Sequence, residues 1–222
     1  MDPSSIVDLS HKLDSKVQVY PGDRPFTCSQ CATVANDGYS VHVLSFSTHT
    51  GTHIDVPSHF IANGKTIDQI PLPSLINPLV VVDLTHLDLQ NRQIITWEDI
   101  KPSADRLGPG VTVVLRTGWD AYWSSPKYYE HPFLAKDAAQ RIVETGVRVV
   151  GVDTFSPDET PYQGVGGEHG FAVHEVILGA GGIIAENLTN LAALDGHSHI
   201  ALVPLNVEGS DGSPVRAFAW KA

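Results

Sequence analysis

The chain has 222 residues, of which 42% are hydrophobic, and its formal net charge at pH 7 is −11. That length is enough to bury one substantial hydrophobic core. The acidic balance and the lack of any long basic cluster exclude the surface that nucleic-acid-binding proteins use, and they make anionic membranes unsuitable partners.

The start of the chain and its overall organisation suggest a simple architecture. Residues 1–14, MDPSSIVDLSHKLD, lack the basic start and apolar run of a secretory signal. No stretch has the roughly 18 consecutive apolar residues of a membrane span. No repeat, low-complexity tract or long linker marks a domain boundary. We therefore expect a soluble, cytoplasmic protein that folds as a single domain over residues 1–222.

Short apolar or alternating segments recur along the chain and predict β-strands. Several are continuous apolar runs of the kind found in buried strands. An Asp-Gly pair within residues 36–39, NDGY, predicts a hairpin between the second and third strands. The predicted strands lie within residues 5–10, 26–34, 39–48, 78–85, 111–117, 147–154, 183–188, 199–207 and 215–220.

The two cysteines, Cys28 and Cys31, lie in the second predicted strand with a CxxC spacing. Such a spacing is found in redox pairs and in half of a zinc site. Here no helix follows, and residues three apart on a strand face opposite sides of the sheet. A second cysteine pair is also missing from the sequence. We therefore predict neither a redox nor a zinc role for this pair.

Helices are fewer than strands. Apolar residues recur at spacing four within residues 132–146, which predicts an amphipathic helix. Thr96 and Asp99 resemble a capping box for a short helix at residues 97–100, and residues 170–181 predict a further apolar helix. Hairpins combined with helix-linked buried strands predict an α/β fold, a single domain with a mixed β-sheet flanked by helices.

One short segment concentrates residues that bind metals. Residues 47–60, STHTGTHIDVPSHF, contain His49, His53 and His59 together with Asp55, in a chain with 11 histidines. Imidazole nitrogen and carboxylate oxygen are ligands of borderline to hard divalent ions, whereas soft metals need thiolates that this segment lacks. We therefore predict a site for Zn²⁺ or Mn²⁺.

The residues between these candidates favour convergence of their side chains. Gly51 permits backbone conformations closed to other residues, and Pro57 stiffens the chain before His59. We interpret the segment as a loop hinged at Gly51. Taken singly, each candidate has a simpler explanation, because lone histidines are usually satisfied polar residues and an aspartate before Val-Pro often forms a turn. Taken together, the four side chains favour metal binding.

The same residues carry a family resemblance. Residues 49–59, HTGTHIDVPSH, resemble the HxGTHxDxPxH signature of the cyclase family of metal-dependent hydrolases and match it at every fixed position. That family includes bacterial-type kynurenine formamidases and isatin hydrolases. Residues 20–23 (YPGD), 115–119 (LRTGW), 151–158 (GVDTFSPD) and 186–191 (ENLTNL) also resemble family segments. The resemblance implies a mixed sheet or open barrel of the swivelling β/α/β type.

The resemblance also implies roles for the residues of the motif. His49, His53 and Asp55 correspond to ligands of a first metal ion, and Asp55 can bridge to a second. His59 corresponds to the catalytic histidine. Because Asp55 serves either arrangement, the resemblance leaves open whether one or two ions bind.

Two later residues, His174 and Glu186, correspond to ligands that complete the second metal in that family. The sequence alone is less specific, because His174 could be a core histidine of an apolar helix and Glu186 a strand-end carboxylate. Glu186 lies between GGIIA and NL, however, and is expected to be buried. A buried charge needs a partner or a metal.

This site predicts an enzyme, a metal-dependent amidohydrolase that cleaves the C–N bond of a small aryl formamide or cyclic amide. A divalent ion with an open coordination position lowers the pKa of bound water to about 7 and so supplies hydroxide. His59 is then free to take a proton from water and deliver one to the leaving nitrogen. No GxSxG or GxGxxG motif points to serine-hydrolase or dinucleotide chemistry.

Two alternatives remain open from the sequence. The first is a metal-dependent cyclase, dehydratase or lactone hydrolase acting on a small biosynthetic intermediate. The second is a non-catalytic protein that keeps a structural metal, which His59 disfavours because a filled structural site needs no additional titratable imidazole.

The resemblance extends to partners and to substrate recognition. It implies a homo-oligomer, a dimer or tetramer, and a small substrate, an aromatic amide or lactam. It places Trp119 at the substrate pocket. Residues 156–170, SPDETPYQGVGGEHG, depart from the shorter segment of formamidases. Since such loops carry specificity, the departure leaves the substrate itself open.

Overall fold

The computed structural model describes residues 2–221 and contains short strands, four α-helices and several 3₁₀ turns. The strands are β1 (Val7–Asp8), β2 (Thr27–Ala32), β3 (Val41–Ser45), β4 (His53–Asp55), β5 (Ile76–Asp83), β6 (Ile94–Ile95), β7 (Thr112–Arg116), β8 (Phe133–Leu134), β9 (Val149–Val152), β10 (Ile183–Glu186), β11 (His199–Ala201), β12 (Gly212–Pro214) and β13 (Phe218–Trp220). The helices are α1 (Val34–Asp37), α2 (Trp97–Ile100), α3 (Lys136–Glu144) and α4 (Ala172–Gly179). Each predicted strand segment overlaps one of these strands, whereas β4, β6, β8 and β12 lie outside the predicted segments.

A nine-stranded mixed sheet, curled into a half-barrel, organises the molecule. Its strand order is β1-β13-β11-β5-β7-β9-β10-β4-β12. The central strands β5, β7, β9 and β10 run parallel, and the outer strands pair antiparallel. Each parallel crossover carries one helix, α2, α3 or α4 in turn. This architecture confirms the predicted α/β fold with a mixed sheet.

The two faces of the sheet bury separate apolar clusters. Because side chains alternate along a strand, Val113 and Leu115 face the layer of helices while Val114 faces the opposite cluster. The helix side receives side chains from all three crossover helices, including Ile142 of α3 and Ile177 of α4. The opposite cluster is enclosed by the curl of the sheet and by its antiparallel strands.

The structure corrects the prediction that the histidine motif is a loop. His53, Ile54 and Asp55 form strand β4, which pairs antiparallel with both β10 and β12, and all three residues are buried. A strand this short has too few residues to show a period-2 pattern. The prediction of a loop hinged at glycine applies only to the residues before β4, where Gly51 has a left-handed φ of 64°.

The predicted helices and the hairpin are found close to their expected places. The side chain of Asp99 accepts hydrogen bonds from the backbone N–H and hydroxyl of Thr96, which confirms the capping box of α2. Strands β2 and β3 form the predicted hairpin. Helix α3 begins at Lys136 rather than near 132, because β8 pairs with β6 first. Between residues 2 and 221, no helix is both long and apolar enough to cross a membrane.

The turn that joins α4 to β10 has no space for a side chain at Gly182. A methyl group there would lie 2.7 Å from the backbone carbonyl oxygens of Arg148 and Ile177. Both oxygens are held in place, because they accept hydrogen bonds from the N–H groups of Ile183 and Gly182.

Gly182→Ala should therefore lower the free energy of unfolding by about 1–3 kcal/mol, the usual cost of overpacking. Urea denaturation measures the change. Gly108→Ala is the matched control, because a methyl group at Gly108 meets no atom within 4 Å among the described residues beyond its chain neighbours, and it should change stability by less than about 0.5 kcal/mol. Equal stability of the two variants would contradict the packing argument.

A second prediction concerns His131, which is 1% exposed. Its Nδ1 lies 2.9 Å from the carbonyl oxygen of Pro132 and its Nε2 lies 2.8 Å from the hydroxyl of Thr160. Burial lowers the pKa of His131 to about 4, whereas in the unfolded chain it is about 6.5. Between these values only the unfolded chain gains the proton, so stability falls as the pH drops from about 6.5 to about 4.

The loss attributable to His131 should reach about 3 kcal/mol at most, by the free-energy equivalent of the pKa difference. Urea denaturation at several pH values should give a shallower acid slope for His131→Gln than for the unchanged protein. Parallel slopes would show that His131 does not contribute to the acid sensitivity.

Candidate metal centre

The centre is built where β4 and β10 lie side by side. In this antiparallel pair His53 is opposite Glu186, and Asp55 is opposite Ile184. Ile54 belongs to the cluster enclosed by the curl, so His53 and Asp55 project from the other face of the sheet. Strand alternation and pairing register therefore bring an imidazole and two carboxylates together on the helix side.

Helix α4 adds His174 to the same face. The Nε2 of His174 lies 3.3 Å from Oδ2 of Asp55 and 3.4 Å from Oε1 of Glu186. The carboxylate of Asp158 accepts hydrogen bonds from the backbone N–H groups of Val173 and His174 and lies 2.7 Å from His174 Nδ1. Because a carboxylate can only accept, Nδ1 carries a proton, and in the neutral ring Nε2 keeps its lone pair for the centre.

His53 is oriented in a comparable way by a backbone carbonyl. Its Nδ1 lies 2.8 Å from the carbonyl oxygen of Gly51. Its Nε2 lies 3.3 Å from Oδ1 of Asp55 and 3.3 Å from Oε2 of Glu186. His53 thus presents Nε2 to both carboxylates.

The atoms at the middle of the centre suit a cation. His53 Nε2, Asp55 Oδ2 and Glu186 Oε1 are all buried and have no hydrogen-bond partner among residues 2–221, although each has an oppositely charged neighbour within 3.4 Å. Buried polar atoms are rarely left unpaired. His53, Asp55 and Glu186 each offer a ligand atom within 4.8 Å of the others, and a nitrogen with carboxylate oxygens as donors fits a divalent ion.

A second group of side chains lies at the mouth of the centre. His49 Nδ1 lies 2.6 Å from Oδ1 of Asp55, and its Nε2 lies 3.1 Å from Oδ2 of Asp211. The same Asp211 oxygen lies 3.2 Å from His59 Nδ1. A side chain at Gly212 would come within 2.8 Å of the His49 ring, so glycine there makes room for the imidazole.

The predicted site residues therefore lie close together. The distances between their donor atoms, however, place them in two potential ligand groups that differ from the grouping implied by the resemblance. One potential ligand group contains His53, Asp55 and Glu186, and the other contains His49, Asp55 and His59. Asp55 belongs to both, as the resemblance implies. His53 lies on the side of Glu186, however, and His59 lies close enough to be grouped with His49.

The sequence did not identify two acidic residues of the site, Asp211 and Asp158. Asp211 lies in the loop before β12, far along the chain from the histidines it contacts, and no spacing pattern links them. Asp158 ends the segment 151–158, whose family resemblance was the one signal that could have identified it.

Burial and charge oppose each other throughout the centre. Burial disfavours a charged His53, but the adjacent Asp55 outweighs this and raises the pKa of His53 to about 10. Burial is likewise outweighed at His49, where hydrogen bonds to Asp211 and Asp55 raise the pKa to about 9. Burial and the charge of Asp55 act to raise the pKa of Glu186, yet the imidazoles of His174 and His53 lower it. The carboxylates therefore favour the charged imidazoles, and the imidazoles favour the charged carboxylates.

A cavity of about 400 Å³ opens in front of the centre. Its lining combines the polar residues described above with an aromatic wall of four rings: Tyr20, Phe60, Phe155 and Phe171. Phe60 and Phe171 have ring centroids 5.2 Å apart. The Phe60 ring also lies 4.8 Å from that of His174, so the aromatic wall adjoins the polar residues.

Trp119 does not line this cavity, so the expectation that placed it at the pocket is wrong. It is 4% exposed and packs with Tyr128 and Phe155 in a buried aromatic cluster. Phe155 of the same cluster lines the cavity, so Trp119 packs behind the cavity wall.

Known proteins resemble this chain in sequence and in structure. The kynurenine formamidase of Paracidovorax citrulli (strain AAC00-1) is 30% identical over 225 residues, which cover 97% of this chain and 96% of that protein. Isatin hydrolase A from Labrenzia aggregata, solved with benzyl benzoate bound, has a TM-score of 0.84 at 28% identity, covering 97% of this chain and 93% of that chain.

A further solved structure, described as a "Potential Metal-Dependent Hydrolase With Cyclase Activity", has a TM-score of 0.75 at 25% identity and covers 98% of both chains. The family described as "Cyclase: Putative cyclase" matches residues 7–159, more than half of the sequence. Since the family match and the relatives agree with the geometry of the centre, this chain belongs to the cyclase family.

Proposed function

We propose that this protein is a metal-dependent hydrolase that cleaves the C–N bond of a small aryl formamide or cyclic amide. The observation that carries the proposal is the set of buried atoms of His53, Asp55 and Glu186 that lack a hydrogen-bond partner among the described residues and belong to the lining of a cavity with an aromatic wall. Relatives named kynurenine formamidase and isatin hydrolase support this substrate class. Neighbours described as metal-dependent hydrolases support the metal.

The residues that would hold the metal are His53, Asp55 and Glu186, with His49 and His174 next to them. A divalent ion bound there would polarise the substrate carbonyl and make a water molecule more acidic. Asp158 and the Gly51 carbonyl keep protons on the Nδ1 atoms of their histidines, so both Nε2 atoms remain available as ligands.

His59 is placed to transfer protons at the edge of the centre. It lines the cavity, and 26% of its side chain is exposed. Asp211, a carboxylate, accepts the hydrogen bond from His59 Nδ1. The other ring nitrogen can then take a proton from the attacking water and deliver it to the leaving nitrogen as the C–N bond breaks.

The aromatic wall supports recognition of a substrate with a ring. Phe60 and Phe171 lie next to the histidines, and Phe171 is 40% exposed at the cavity. Stacking against such rings would orient an aryl group so that its amide points to the polar residues. This arrangement suits an aryl formamide or a fused cyclic amide.

Further details of the proposal concern the metal, the assembly and the location. Nitrogen and oxygen donors support Zn²⁺ or Mn²⁺, as one or two ions that share Asp55.

A single catalytic domain over residues 1–222 and a homodimer are proposed. Apolar side chains on the β2–β3 hairpin, Val43 and Leu44 among them, are more than half exposed and support association. Free cysteines at positions 28 and 31 support a reducing, cytoplasmic location.

A substrate panel tests this function. Protein stripped of metal with a chelator, then given Zn²⁺ or Mn²⁺, should hydrolyse N-formylkynurenine, isatin or a related lactam, and the stripped protein should not. Loss of absorbance of each substrate measures turnover. Activity on lactones alone would favour the lactone-hydrolase alternative, and activity independent of metal would refute the proposal.

The roles of Asp55 and His59 can be separated by two variants. Asp55→Ala should lose the metal, because it removes the carboxylate common to both potential ligand groups. His59→Ala should keep the metal and lose at least about 100-fold in turnover, the usual contribution of a general acid–base group. Elemental analysis and kcat together measure both effects.

His42→Ala is the matched control for these variants, because His42 is an exposed histidine on β3 away from the centre. It should leave both metal content and kcat unchanged. If His59→Ala lost the metal as Asp55→Ala does, His59 would be a ligand and not the proton-transfer residue.

A further inference from the structure

A buried asparagine links the two strands that carry the centre. Asn187 directly follows Glu186, has a left-handed φ of 57° and is 2% exposed. Its Nδ2 donates a hydrogen bond of 3.0 Å to the carbonyl oxygen of Gly51. Its Oδ1 accepts a hydrogen bond of 3.0 Å from the hydroxyl of Tyr128. The amide therefore has a partner on each side.

The orientation of this amide is determined by its neighbours. If the amide were turned by 180°, Oδ1 would face the Gly51 carbonyl oxygen, and two acceptors would repel each other at 3.0 Å. A second contact ties the same segments together, because the hydroxyl of Thr52 donates to the Asn187 carbonyl at 2.6 Å. Asn187 thus contacts the Gly51 carbonyl through its side chain and the Thr52 hydroxyl through its backbone.

The Gly51 carbonyl is also the group that orients His53. It accepts both the Asn187 Nδ2 hydrogen bond and the one from His53 Nδ1, at 2.8 Å. A carbonyl oxygen has two lone pairs, so both are used by buried donors. Because Gly51 has no side chain that restricts its backbone, these two hydrogen bonds fix the orientation of its carbonyl group.

We propose that Asn187 is a positioning residue for the metal ligand His53, an inference that rests on the proposed function. Its amide holds the Gly51 carbonyl, and that carbonyl keeps the proton of neutral His53 on Nδ1. The alternative tautomer carries its proton on Nε2 and cannot bind a metal through that atom. Tyr128 supports the arrangement by fixing the far end of the amide.

The loop after β10 supplies a matched control residue. Asn190 also has a left-handed backbone, with φ 59°, but it is exposed, and its Nδ2 donates to the carbonyl of Asp8. Glycine tolerates positive φ at both positions. Asn187→Gly and Asn190→Gly therefore make the same chemical change at equivalent backbone conformations, and only the first touches the Gly51 carbonyl.

The experiment measures zinc affinity by competition with a chromogenic chelator. Asn187→Gly should bind zinc about 10–100-fold more weakly, the usual effect of losing a residue that orients a ligand. Asn190→Gly should stay within about 2-fold, as a surface change does. Tyr128→Phe, which removes one hydroxyl, should weaken binding about 2–10-fold, the equivalent of one hydrogen bond.

A second measurement reports on His53 directly. In the zinc-loaded protein, the Nδ1 proton of His53 should be visible by NMR and protected from solvent exchange. Asn187→Gly should speed its exchange, and Asn190→Gly should not. A role of Asn187 limited to folding would leave this proton unchanged in protein that remains folded.

The possible outcomes are distinguishable. If the unchanged protein binds neither zinc nor manganese, the proposed function fails and takes this inference with it. If it binds zinc, and a folded Asn187→Gly shows the same affinity and the same proton exchange, the inference alone is overturned. If Asn187→Gly fails to fold, the zinc affinity of Tyr128→Phe tests the inference instead. An unchanged zinc affinity in folded Tyr128→Phe protein overturns the inference.

Discussion

The burial of two carboxylates beside each other is the constraint on which the rest of this structure depends. Asp55 is 1% exposed and Glu186 is 7% exposed. Removing such charges from water is costly unless opposite charge accompanies them. The neighbouring imidazoles oppose this cost, and the carboxylates in turn raise the pKa values of His53 and His174. A divalent cation bound there would supply opposite charge to both carboxylates.

The sheet meets this constraint with ordinary strand geometry. Side chains alternate along β4, so Ile54 packs into the apolar cluster on one face of the sheet, and His53 and Asp55 lie on the other face. The antiparallel register with β10 places Glu186 opposite His53, and helix α4 places His174 on the same face of the sheet. Rigid, paired backbone thus holds the donor atoms, and hydrogen bonds from neighbouring groups decide which ring nitrogen each histidine presents.

The wall of the cavity comes from different parts of the chain. Phe171 of this wall follows residues 156–170, a segment held by the ion pair between Arg92 and Glu159, 3.1 Å apart. Glu159 also accepts a hydrogen bond from the backbone of Gly167. Ser156 of this segment lines the cavity and Asp158 contacts His174, so the segment joins the cavity wall to the centre.

Local patterns in the sequence determined much of this protein. Apolar runs predicted the strands, the capping box predicted α2, and the clustered histidines with Asp55 indicated a metal site. His174 and Glu186 were identified only through a family resemblance, and Asp211 was not identified at all. The strand character of β4, the burial of Trp119 and the link from Asn187 to Gly51 required the tertiary structure. Each depends on which distant segments pair and in what register, and short-range periodicity carries no information about that pairing.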